Sequence, residues 1–186
     1  MAEKTEERFR MALMTLMERF PYDSISVQGI CDEAGLSRKT FSRHFASKED
    51  VVAAQLKADI AAPTATVLSV LSGAPFPDSS RVLLRHAYGA FYDNRAFYES
   101  AVHSLGLMWL SEHVMAAGKS IGTVPYEKDG INDETEMDFV VTLYSGITAT
   151  ALCWWMRNHF SITPDRLVDL VLKWVYDASP SKEWSE

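Results

Sequence analysis

The sequence predicts an all-α protein. Apolar residues recur at three-to-four spacing along nearly the whole chain, and residues that cap helices stand where those stretches begin. With 186 residues, 47% of them hydrophobic and 23% charged, the chain is long enough for a buried core yet polar enough for an ordinary globular protein. Length and composition exclude a large multidomain enzyme, a repeat array and a disordered tail protein.

The elements follow in order. Phe9, Leu13, Leu16, Met17 and Phe20 form one face of an amphipathic helix that Pro21 ends. Ser26 is placed to cap a short helix with Val27, Ile30, Cys31 and Ala34 on its buried side, and Gly35 can take the left-handed conformation at its end. Ser37 then caps a third helix, with Leu36 before the cap able to pack on Phe41 as a hydrophobic staple. Phe41 and Phe45 share one face of that helix, while Arg38, Lys39, Ser42 and Arg43 occupy the other. Ser47 with Asp50 gives a capping box for a fourth helix whose stripe is Val52, Leu56 and Ile60.

Beyond residue 61, Pro63 stands early or near a kink, and Ser72 to Asp78 is a break rich in proline and glycine. Helical stretches are expected at about 79–93, 95–104 and 105–117, followed by a loop from Gly118 to Gly130. Asn132 is placed to cap a long helix whose first turn carries Asp133, Glu134 and Glu136. Phe139 to Met156 within it has no charge, but Thr142, Ser145, Gly146, Thr148 and Thr150 dilute it and no basic cluster flanks it. A buried or interface helix is expected there, with no membrane span. Thr163-Pro164 opens the last helix, where Ile162 can staple onto Leu167.

The formal net charge is −7, but it is unevenly spread. Residues 1–60 carry a net of −1 and residues 61–186 a net of −6. Leu36 to Lys48 holds Arg38, Lys39, Arg43 and Lys48 with no acid, and His44 adds a possible further cation. Residues 24–46 therefore spell helix, tight glycine turn and short basic helix, which is a helix-turn-helix. A short helix of this kind fits a DNA major groove, with its outer face offering donors to bases and phosphates. The same pattern also fits an αα-hairpin whose basic face is only solvated.

The segment from Ser24 to Asp50 resembles the DNA-binding signature of the tetracycline-repressor (TetR) family, with Gly35, Ser37, Thr40, Phe41, His44, Phe45 and Lys48 at the family's spacing. The resemblance implies a helix-turn-helix three-helix headpiece over residues 1–46 and a helical ligand-binding and dimerisation domain over 47–186, with 47–71 as the connecting helix. It implies a cytoplasmic transcriptional regulator, usually a repressor, that binds a palindromic operator in double-stranded DNA as a homodimer and answers to a small-molecule effector. Carried over by position, Ser26, Thr40, Ser42, His44 and Lys48 meet the DNA backbone, and Ser37 belongs to the same DNA-binding set. Gln28, Arg38 and Lys39 read bases, and Arg43 can do either. Where the family usually has Tyr, this chain has Ser42, whose hydroxyl has shorter reach.

The stretch from Cys153 to Leu167 is similar to the Trp-containing end of the penultimate helix and the capped last helix in many family members. In the family these two helices form the dimer's four-helix bundle. That implies close approach at Gly146, Ala149 and Thr150 and an apolar stripe of Val168, Leu172 and Val175. A second reading is a TetR-fold coactivator or partner protein, acting by protein contact with weak or no DNA binding.

Other chemistry finds little support. His44, His86, His103, His113 and His159 show no i, i+4 pair, no phosphate-binding glycine loop occurs, and no nucleophile elbow frames a serine. The expectation is no enzyme activity, no metal and no cofactor. Cys31 and Cys153 lie far apart, which fits a reducing compartment, and the charged N-terminus shows no signal peptide. Among the many aromatic residues of the second part, His103, Trp109 and Tyr144 are the candidates for an effector pocket, on family architecture.

Overall fold

The computed structural model describes residues 2–61, 66–67, 78–120 and 133–176, and every regular element among them is helical. Helix α1 (Ala2–Met17) leads through a short 3-10 turn at Tyr22–Ser24 into α2 (Val27–Ala34), α3 (Arg38–Ser42) and α4 (Lys48–Leu56). Helix α4 widens into a π turn at Lys57–Ala61. After it come α5 (Asp78–Asp93), α6 (Arg95–Leu105), α7 (Leu107–Ser120), α8 (Glu134–Arg157) and α9 (Pro164–Val171), the last widening again at Leu172–Tyr176. The expected features at Pro63, at 72–77 and at 121–132 lie outside the described residues.

The local signals act as the sequence implies. Ser26, Ser37, Ser47 and Thr163 each cap their helix by accepting a backbone N–H, and Asp50 completes the box at Ser47. Gly35 takes φ +62° at the end of α2, and the Arg8 guanidinium from α1 donates to the Ala34 carbonyl there at 2.6 Å. Three expectations shift. Phe20 falls beyond the end of α1 and is exposed, because the helix stops at Met17. Helix α7 continues through Gly118 to Ser120, since Gly118 lies against the Ser145 side chain of α8, where any larger residue would collide. The cap of α8 is Asp133, whose carboxylate accepts from the Glu136 N–H at 2.8 Å.

One core runs through the molecule. Its headpiece end is built from Phe9, Leu13, Ile30, Cys31, Phe41 and Val52, and its body end from Tyr88, Phe91, Tyr98, Leu110, Leu152 and Trp155. Helices α7 and α8 pack along each other, and α9 packs on α5, where Arg81 pairs with Asp169 and Arg85 with Asp165. By length and composition α8 is apolar enough to cross a membrane, and 33% of that apolar window is buried inside the fold.

The corner between α8 and α9 is strained. His159 and Phe160 both have positive φ, at 50° and 52°, a region that disfavours side chains with a Cβ. Phe160 is held there because its ring fills the space against Trp155 at 5.0 Å, while the Trp155 indole N–H reaches the Ile162 carbonyl at 2.9 Å. His159 is exposed and has no such compensation. His159→Gly is therefore expected to raise stability by about 0.5–1 kcal/mol in thermal unfolding. Gly35→Ala is expected to lower it by about 1–2 kcal/mol.

Candidate nucleic-acid interface

Helix α3 has five residues, too few to hold a helix alone in water. It is held by its apolar side. Phe41 and Phe45 bury against Phe9 of α1, with ring centroids at 5.2 and 6.0 Å in edge-to-face contacts, and against each other at 5.6 Å. Such pairs add about 0.5–1.5 kcal/mol each beyond the burial itself. Because α-helical residues fan around the axis, seating the two phenylalanines turns Arg38, Lys39, Ser42 and Arg43 outward, and all four are exposed.

The polar residues of the region divide into open and engaged groups. Arg38, Lys39 and Arg43 have no side-chain hydrogen bond or ion pair within the chain among the described residues. Gln28, on the exposed side of α2, donates from its amide to Asp32 at 2.7 Å. Ser26 and Ser37 are engaged as caps, and the Ser37 and Thr40 hydroxyls share a hydrogen bond at 2.8 Å. Ser42 donates its hydroxyl to the Arg38 carbonyl at 3.0 Å, so its short side chain is turned along the helix.

Two expected phosphate partners are tied down further. His44 is only 12% exposed, and its Nδ1 meets the Glu6 carboxylate of α1 at 3.1 Å. The Lys48 ammonium donates to the carbonyls of Tyr22 and Ile25 at 2.9 and 3.0 Å and lies 4.2 Å over the Tyr22 ring. These contacts pin the 3-10 turn and the start of α2 to the start of α4. They also cover Tyr22, whose buried phenol, with Glu49 and Asp23 nearby, is pushed well above its usual pKa. Sequence spacing shows Lys48 but not where its ammonium goes, since Tyr22 and Ile25 are brought to it by the fold.

The effector-pocket candidates do not converge on the apolar groove described below. His103 is exposed on α6, Trp109 is half-buried on α7 with its ring stacked 4.1 Å from His113, and Tyr144 is half-buried on α8. None of them lines the groove between α8 and α9, a depression of about 790 Å³ walled by Leu143, Ile147, Trp154, Leu170 and Trp174 among others. The dimer residues also need correction. Gly146, Thr150 and Val175 line that groove, but Ala149, Val168 and Leu172 are buried in the chain's own core. The outward stripe is set one helical step away, at Leu143, Trp154 and Trp174, the last 66% exposed.

Residues 11–54 match the family of bacterial regulatory proteins, tetR family. The match spans the end of α1, the whole of α2 and α3 and most of α4, so it covers Phe41, Phe45 and the outward cations together and begins just after Phe9. Along the whole chain the fold is similar to that of a TetR transcriptional regulator from Streptococcus agalactiae 2603V, with a TM-score of 0.50, 17% sequence identity and 94% of each chain covered. At that identity the likeness establishes the architecture, a tetR-type headpiece followed by a helical body. No curated protein matches the chain.

Lys48→Met keeps an unbranched apolar stem at that position but removes both carbonyl contacts. It is expected to cost the folded tetR-type headpiece about 1–2 kcal/mol, read from denaturant unfolding without DNA.

Proposed function

We propose that this DNA-binding regulator of the tetR family is a cytoplasmic, ligand-responsive repressor that binds a palindromic operator as a homodimer and has no enzymatic activity. The observation that carries the DNA reading is the set of three outward cations at α3, Arg38 and Lys39 on the helix and Arg43 at its C-cap, left without internal partners among the described residues by the burial of Phe41 and Phe45. Arg38 and Lys39 read base edges, guanine being the favoured partner, and Gln28 reads adenine after releasing Asp32. Arg43 serves bases or phosphate. Ser26, Ser37, Thr40, Ser42 and His44 lie along the backbone, and Lys48 has one N–H left for a phosphate after its two carbonyls. In this reading the headpiece is residues 1–46, a connecting segment runs over 47–71, and 47–186 as a whole serves for sensing and dimerising.

In a dimer the two α3 helices would enter successive major grooves about 34–36 Å apart. The apolar groove of α8 and α9, with Trp154 and Trp174 at its rim, is the surface such a dimer would cover, because a patch of this kind is costly to leave in water. An effector that prefers another headpiece spacing releases the operator through its differential affinity for the two states.

The second reading, a TetR-fold partner protein that acts by protein contact, is favoured by one observation. Ser42 stands where the family usually offers a Tyr, and its hydroxyl is engaged by the Arg38 carbonyl.

Selection of bound duplexes from a random pool at near-physiological salt separates the two readings. The wild type is expected to enrich a palindrome, and the Arg38→Ala/Lys39→Ala variant is expected to lose it. Failure of the wild type to enrich any sequence would sink the operator reading for the free protein. Trp174→Asp is expected to shift the sedimentation equilibrium from dimer to monomer at micromolar concentration, and an unchanged mass would place the dimer interface elsewhere.

A further inference from the structure

A polar relay crosses the fold between the headpiece and the body. At its centre is Asp59, in the π turn Lys57–Ala61 that follows α4. One carboxylate oxygen accepts the Gln55 amide at 2.8 Å, and the other accepts the Tyr98 phenol at 2.6 Å and the Asn94 amide at 3.0 Å. Gln55 is nearly buried, and its carbonyl oxygen accepts the Arg10 guanidinium of α1 at 2.8 Å. Five side chains from α1, α4, the π turn and the α5–α6 corner thus form one connected set.

The set has features that packing alone does not require. Asn94 stands at the N-cap of α6 but makes no capping bond, and its amide turns to Asp59 instead. Tyr98 is fully buried and stacks on Phe91 at 4.2 Å, so its hydroxyl is fixed in direction by the ring's packing. Burial pushes the Asp59 carboxyl above its usual range against the pull of its three donors and Arg10, as expected of a charge kept in a half-covered place. Such π turns are rare and occur frequently at functional sites. Helix α6 touches both α1 and the Tyr22–Ser24 turn, so its junction with Asp59 lies on the route between body and headpiece.

We infer that Asp59 is a positioning residue for DNA binding: through Asn94 and Tyr98 on one side and Gln55 and Arg10 on the other, it fixes the angle of the headpiece on the body, and hence the half-site spacing a dimer accepts. This rests on the operator reading above. The relay holds one orientation because charge-assisted hydrogen bonds are strong and directional, and the carboxylate serves three donors at once. Breaking a member leaves the base-reading face of α3 intact and loosens only where that face is held.

Tyr98→Phe and Asp59→Asn test this, because both keep the packed shape while the first removes one hydrogen bond and the second removes the charge that serves the three donors. The measurements use the full chain well below its unfolding temperature, with circular dichroism checking that both variants remain folded. In the first arm, nitroxides at Glu18→Cys and Glu112→Cys in a Cys153→Ser background report the headpiece-to-body distance, diluted with unlabelled protein to suppress signals between subunits. The distance distribution is expected to broaden in both variants, and an unchanged distribution overturns the proposal. In the second arm, operators with the half-site spacing changed by one base pair are compared with the selected one. Wild-type discrimination between spacings is expected to fall by about tenfold in the variants, the factor carried by one hydrogen bond to a charged group, while the half-site sequence stays the same. Discrimination equal to wild type overturns the proposal even if the distribution broadens. If the wild type enriches no DNA at all, the operator reading fails, and the distance arm alone decides the relay.

Discussion

Phe9 against Phe41 and Phe45 is the contact on which the headpiece depends. A five-residue helix has no stability of its own, so the cost of ordering α3 is offset by burying two aromatic rings, each worth about 1.5–3 kcal/mol. The same contact settles chemistry as well as stability. With the rings turned onto α1, the cations at 38, 39 and 43 have nowhere to go but outward. Adjacent devices set the approach: Gly35 gives the sharp turn its left-handed residue, and Ser37 caps the helix at the point where its basic side begins.

The charge pattern gives this face its meaning. On a chain of net charge −7, the stretch from 36 to 48 has no acid, and its three open cations contrast with His44 and Lys48, which the fold engages internally. The acidic body disfavours contact with phosphates elsewhere, so a nucleic acid would meet the protein at the headpiece. The headpiece in turn is continuous with the body through α4, which packs on α1 and runs into the π turn that holds Asp59. A change in the body can reach the DNA face only along such contacts, since an effector acts by favouring one packed arrangement over another.

What the sequence disclosed follows from how local each signal is. Capping residues act within three positions of themselves, so Ser26, Ser37, Ser47 and Thr163 could be read directly, as could the i, i+4 pair Phe41 and Phe45. Facing is less local. Helices α8 and α9 are apolar on more than one side, and periodicity alone did not distinguish Ala149 and Val168, which face inward, from Leu143 and Trp174, which face out. The internal contacts of Lys48 and the role of Asp59 were beyond reach for another reason. Apart from Gln55, four positions before Asp59, their partners are 23 to 39 positions away and meet them only after the helices pack, and Asp59 belongs to no motif in the sequence. Helix ends followed the same logic: Gly118 reads as a breaker in isolation and is a close-packing residue beside Ser145.

The central claim is that the outer face of α3 meets DNA phosphates and bases. Its most direct measure is the affinity of the wild type for duplex DNA as a function of salt. Each phosphate neutralised by a cation lowers the slope of log K against log salt by about 0.9, so phosphate contacts from Arg43 and Lys48 of two headpieces predict a slope steeper than about −3. A slope near zero, or no measurable affinity even at low salt, would contradict the account.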